Sequence, residues 1–116
     1  MNYEALVPSR ELCEELARLG ICQDGAELWW IEQPFPRLWE VSPYEHMPSD
    51  DIPPLIAPTL NRMMNQLPDF VAVYAWEGYW IIADCNGTSD VHKIISQDKQ
   101  LPNAVARALI AFKEAK

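Results

Sequence analysis

Apolar residues return along the chain at two spacings, and the spacing changes from block to block. Leu12, Leu16 and Leu19 follow one face of a helix, Ser9 stands where a side-chain oxygen caps the first turn, and Glu11 complements the helix dipole. Gly20 suits the left-handed residue that ends such a helix, and a Schellman ending would fold Ile21 back against Leu16. A second helix is predicted from Thr59, with Leu60, Met63, Met64 and Leu67 at positions i, i+3, i+4 and i+7 and Pro68 blocking its continuation. Leu101, Val105, Leu109 and Phe112 form the stripe of a last helix, with Pro102 in its first turn and Lys113 and Lys116 at its C-terminal end.

Between these helices the pattern is that of strands. Residues 27–32 place Leu28, Trp29, Trp30 and Ile31 between two glutamates, and residues 37–41 offer a hairpin partner across a turn forced by Pro34 and Pro36. Residues 70–76 and 79–85 are two strand-like runs joined at Glu77-Gly78, and Asn86-Gly87 is a tight-turn signal leading into a third run at 90–95. The predicted order is α-β-β-α-β-β-β-α, an α+β fold in one domain spanning residues 1–116, with an N-terminal hairpin and a three-stranded antiparallel meander packed against three helices. Residues 42–58 hold five of the ten prolines and show neither period, so they read as a long loop, the first place to look for a site.

Composition narrows the class. With 49% hydrophobic residues and five tryptophans, the apolar material for a core is present and general disorder is set aside. No apolar run approaches the roughly 20 residues of a membrane span. The N-terminus has neither the basic cluster nor the apolar run of a secretory signal, which points to the cytoplasm. Cys13, Cys22 and Cys85 are an odd number without a C-x-x-C pair and are expected as free thiols. Residues 1–51 carry eleven acidic and three basic side chains and residues 52–116 six of each, so the whole net charge of −8 arises in the first half. Such a field, with no Lys/Arg cluster, disfavours direct contact with nucleic acid or an anionic membrane.

Candidate chemistry is sparse. His46 lies near Glu45, Asp50 and Asp51, but that spacing fits no metal-ligand pattern, and no metal or cofactor is expected. Cys85, His92 and either Asp84 or Asp90 supply the residue types of a thiol nucleophile, its base and an orienting acid, without an evident oxyanion donor. The four glycines are isolated turn residues and form no phosphate-binding loop. No catalytic residue is therefore assigned and an enzyme is not expected. The aromatic residues say more: alternation turns Trp29 and Trp30 to opposite faces of one strand, so one of them leaves the main core. An interaction surface is expected to draw on Trp29, Trp30, Trp39, Tyr44, Met47 and Trp80.

With the segments placed, the chain resembles small uncharacterised proteins encoded in bacterial prophages and other mobile elements. The resemblance rests on the run from Pro8 and Ser9 through Leu16, on Gly20 and Gln23 ahead of the Trp-containing strand, on residues 57–68, and on the Ala-rich helix 104–112. It implies a bacterial or phage cytosol and an accessory role, and carries no site residues. The expectation that follows is a non-enzymatic protein–protein interaction module, with another protein or a second copy as its partner, in a homodimer. Two alternatives are a small ligand-binding domain or enzyme using a cleft near Cys85 and His92, and an acidic decoy for a nucleic-acid-binding protein, in which Glu11, Glu14, Glu15, Glu27 and Glu32 would line up on one surface.

Overall fold

The computed structural model describes residues 3–24, 26–34, 37–43, 55–68, 70–85 and 93–114. A 3-10 turn at Tyr3–Leu6 leads into helix α1 (Arg10–Arg18). The Ser9 hydroxyl accepts from the Leu12 amide, as the N-terminal signal required. At the other end the Ile21 amide donates to Leu16 O at 2.8 Å and the Gly20 amide to Ala17 O at 3.1 Å, with Gly20 at φ +73°. This is the Schellman ending, and Ile21 packs with Leu16 in the same core cluster.

Strands β1 (Trp29–Pro34) and β2 (Arg37–Ser42) form the expected hairpin, paired from Trp29 opposite Ser42 to Pro34 opposite Arg37. A two-residue strand, β3 (Leu55–Ile56), joins the free edge of β1, so the first sheet has the order β2-β1-β3. Residues 55–56 lie within the segment read above as loop. Two residues are too few to show a period, and their extended form comes from pairing with β1 rather than from their own propensity. Residues 44–54 of that segment lie outside the described residues.

Helix α2 (Leu60–Met64) buries Met63 completely and is followed by a second sheet, in which β4 (Val71–Trp76), β5 (Tyr79–Asp84) and β6 (Lys93–Asp98) run antiparallel in sequence order. The meander is therefore present. Glu77 and Gly78 both take positive φ, 50° and 84°, the signature of the hairpin turn whose twist matches its strands. The Asn86-Gly87 turn falls outside the described residues, and the third strand sits further along than the 90–95 expected. Between β5 and β6 the register slips at Ile82/Ala83: Ile82 pairs with Ser96 and Ala83 with Ile94, leaving Ile95 as the extra residue of a bulge. Helix α3 (Leu101–Glu114) closes the chain. The element order α-β-β-α-β-β-β-α and the α+β class are as the sequence predicts.

The packing explains why α3 is rich in alanine. It lies on β5 and β6 and also against α1 and α2. Contact on more than one side needs small side chains, and Ala104, Ala106 and Ala108 are each fully buried. They pack in a cluster with Leu12, Leu16, Met63, Ile82, Val105 and Leu109. Among the described residues Ser96 is the buried polar exception, and its hydroxyl donates to Ala104 O at 2.7 Å, tying β6 to the first turns of α3. A second cluster gathers Val7, Cys13, Leu28, Trp30, Val41 and Ala57 beneath the first sheet. Helix α1 serves both clusters, sending Leu12 and Leu16 into one and Cys13 into the other.

Candidate functional site

Alternation along the second sheet separates two faces. Val71, Val73, Trp80, Ile82, Ile95 and Ser96 belong to the face covered by α3. Tyr74, Trp76, Tyr79, Ile81, Ala83, Ile94 and Gln97 belong to the other, by the pairings Tyr74 with Ile81, Trp76 with Tyr79, Ile81 with Gln97 and Ala83 with Ile94. An antiparallel sheet with one covered face ordinarily dresses the other in polar residues. Here Trp76 is 64% exposed, Ile94 51%, Tyr79 40% and Tyr74 38%. In the middle of the face Ile81, between Tyr74 and Gln97, and Ala83, between Ala72 and Ile94, are buried. Among the described residues the face is apolar except for Gln97, with charge at its rim. Glu77 sits at the tip of the β4–β5 hairpin, and Lys99 follows β6 with its ammonium 6.0 Å from the centre of the Tyr79 ring.

The tryptophans named from the sequence are placed differently. Trp30 is buried in the second cluster, where its indole N–H donates to Pro8 O at 3.2 Å. Trp39 is half-buried at the edge of that cluster, with the Arg10 guanidinium 4.8 Å from its ring centre. Trp29 is half-buried, and Trp80 packs half-buried onto the larger cluster. Tyr44 and Met47 lie outside the described residues. The exposed set Tyr74, Trp76 and Tyr79, with Ile94, lies outside the interaction surface expected from the sequence. Its signal was present in the sequence, since residues 71–76 are apolar at both parities and only one parity can face a single core.

The other candidates divide in the same way. Cys85 is half-buried at the end of β5, its amide donating to Phe70 O at 2.9 Å, while His92 and Asp90 lie outside the described residues. His46, Asp50 and Asp51 also lie outside them, and among the described residues no three His, Cys, Asp or Glu side chains are gathered to hold a metal. Cys13 is fully buried, its thiol donating to Pro8 O at 3.6 Å. Burial pushes that thiol up from its ordinary 9.0 to about 12, with Glu11 and Glu14 adding to the rise and the Trp30 hydrogen bond opposing it. Desolvation likewise raises the Cys22 thiol. The α1 acids are engaged by the protein's own arginines: Glu14 with Arg10 at 3.0 Å, Glu11 with Arg10 at 3.6 Å and Glu15 with Arg18 at 2.7 Å. The bond to Arg18 holds the Glu15 carboxyl below its usual range.

An open cleft of about 610 Å³ lies between the N-terminal ends of α2 and α3, lined by apolar Leu6, Leu60 and Leu101 together with Glu27, Thr59 and Asn61. It is large enough for a small molecule, but each of these polar side chains is exposed or only half-buried, so none is held in one orientation by packing. Among the described residues no helix is long and apolar enough to cross a membrane. Comparison with known protein families, with curated proteins and with solved structures gives no match to this chain.

Proposed function

We propose that the protein is a non-enzymatic protein–protein interaction module, and that it docks through the outer face of the second sheet. The observation that carries this reading is the set Tyr74, Trp76, Tyr79 and Ile94, four large side chains exposed together on a regular sheet whose opposite face already packs the core. Aromatic residues of this kind are the usual anchors of protein interfaces, because they present much apolar area for few rotatable bonds. A contiguous apolar face on a protein marks a contact site more often than it serves the fold. The cleft beside α2 competes less well, since its polar groups do not converge in a buried setting. Glu11, Glu14 and Glu15 of α1 are each paired with Arg10 or Arg18, whereas a phosphate-mimicking decoy needs its acids free to meet the partner. The resemblance to small prophage proteins fits an accessory binding role in a bacterial cytosol.

The test is site-specific photo-crosslinking in the cell that encodes the protein. A benzophenone side chain at position 76 is expected to give discrete protein adducts. The same group at position 11, exposed on α1, which packs against α3 on the opposite side of the sheet, serves as the control. Equal labelling at the two positions would sink the proposal.

A further inference from the structure

The second sheet has an open edge as well as an outer face, and the edge carries an inference that goes beyond the docking face. β4 and β6 are its two edge strands. β6 opens with Lys93 and carries a bulge at Ile95, two features that blunt an edge against further pairing. β4 has neither: Val71–Trp76 includes no charge and no proline, and it pairs one to one with β5 along its whole length. We infer that β4 takes up a further strand, and that this strand is β4 of a second copy, antiparallel and centred on Tyr74.

The backbone sets the register. A two-residue turn joins Trp76 to Tyr79, so that pair exchanges both of its hydrogen bonds, and the Cys85 amide donating to Phe70 O at 2.9 Å falls on the same parity. Phe70, Ala72, Tyr74 and Trp76 therefore aim their peptide groups at β5, while Val71, Val73 and Ala75 aim theirs at the open edge. The Val71 amide donates to Pro68 O at 3.3 Å. Among the described residues no strand meets the amides and carbonyls of Val73 and Ala75. A two-fold axis at Tyr74 sets Val73 against the partner's Ala75 and Ala75 against the partner's Val73, so each of these groups gains a hydrogen bond. An axis at Val73 would need the Val71 amide, which is already bonded. An axis at Ala75 would need Glu77, whose φ of 50° is not extended.

Side-chain sizes agree with that register. It places Tyr74 beside the partner's Tyr74, and Trp76 beside the partner's Ala72, a large residue against a small one at both ends. These are the non-hydrogen-bonded positions of the new ladder, where facing side chains come closest. Tyr74 and Trp76 are exposed in the single copy and free to make the contact. Glu77 lies at the far end of each strand from its counterpart, so the two carboxylates stay roughly 20 Å apart. The axis stands perpendicular to the sheet, which keeps both α3 helices on one side and joins the outer faces into one.

Sedimentation velocity on the purified full chain is the test, with amide exchange by NMR to place the contact. The expected result is a monomer–dimer equilibrium with a dissociation constant on the order of 100 µM, as suits a short strand pairing. The amides of Val73 and Ala75 should exchange more slowly as the concentration rises through that value. Ala75→Pro removes a donor that β5 does not use and blocks the edge, so it should weaken association by at least about 10-fold. Should it not fold by circular dichroism, exposed Tyr74 supplies a second route. Tyr74→Lys and Tyr74→Glu each set like charges face to face and should each be monomeric, whereas an equimolar mixture of the two should associate. A wild type that stays monomeric at about 1 mM would overturn the inference, and so would a dimer that survives both Ala75→Pro and Tyr74→Lys. The edge and the face fail separately. A monomer whose position 76 crosslinks to a different protein refutes the strand pairing and leaves the docking face, while a dimer whose position 76 links only to the chain itself supports the pairing and removes the face.

Discussion

Cys13 offers a prediction whose size follows from one buried atom. Its thiol is fully enclosed in the second cluster, and burial raises it from 9.0 to about 12. In the unfolded chain the thiol ionises around 9.0, whereas in the folded protein it keeps its proton. Below pH 9 both states are protonated and the group has no effect on the equilibrium. Above it the unfolded state gains by ionising and the folded state does not, so stability falls from pH 9 until the folded thiol itself titrates near 12. At pH 10, one unit above the unfolded value, the loss is about 1.4 kcal/mol, and it approaches about 4 kcal/mol at pH 12. Urea unfolding of the wild type and Cys13→Ala at pH 7 and pH 10 isolates this contribution, because every other ionisable group is common to the two proteins. The variant starts lower at pH 7 for want of packing atoms. The wild type should then lose about 1.4 kcal/mol more than the variant does between the two pH values. If the two lose the same amount, the thiol is not held protonated by burial. An independent check is alkylation at pH 8, where Cys13 should react about 1,000-fold more slowly than a thiol of ordinary acidity.

Three further substitutions test the packing. Trp30→Phe removes the indole donor from Pro8 O and should cost about 2 kcal/mol, read as a melting temperature lower by about 8 °C for a chain of this length. Ile82→Ala, at a fully buried position shared by the second sheet and the helices, should cost about 3 kcal/mol in urea unfolding. Gly20→Ala meets no atom within 4 Å of the added carbon but must hold φ at +73°, so a loss of about 1 kcal/mol is expected; an unchanged stability would show that the helix ending can rearrange.

What the sequence disclosed depended on whether a signal was local. The ending of α1 was legible to the individual hydrogen bond because Ser9, Gly20 and Ile21 act on residues within six positions of themselves. The turn at Glu77-Gly78 and the stripe on α3 were legible for the same reason. β3 was not, since Leu55 and Ile56 are extended only through β1, some 26 residues earlier in the chain. Trp30 was misplaced as a surface candidate because alternation shows that Trp29 and Trp30 point apart without saying which side carries the cluster. That is decided by Pro8, whose carbonyl receives both the Trp30 indole and the Cys13 thiol. The outer face of the second sheet was hidden for a related reason. Apolar residues at both parities in β4 and β5 look like strands buried on two sides, and only the placement of α3 on one side shows that Tyr74, Trp76, Tyr79 and Ile94 are left exposed on the other.

The demands of folding do not account for that open face. Its central residues, Ile81 and Ala83, are buried, and at the exposed positions around them the aliphatic stems of threonine, lysine or arginine would meet water with a polar end. Trp76 stands at the hairpin end opposite Tyr79 and is almost two-thirds exposed, so most of its ring contributes nothing to the core. Lysine or threonine at position 76 would leave the cross-strand pairing intact and lower the risk of aggregation that an exposed apolar sheet carries. The rest of the surface shows that the sequence has polar residues to spend: α1 is charged along its whole solvent side and carries three ion pairs with its own arginines. A chain that dresses one element so fully and leaves four large apolar side chains on another is best explained by a contact made at that face. The low stability change expected for Ile94→Lys, within about 0.5 kcal/mol by thermal unfolding, separates this reasoning from a folding role. A loss of several kcal/mol there would mean that the face is held by the fold itself.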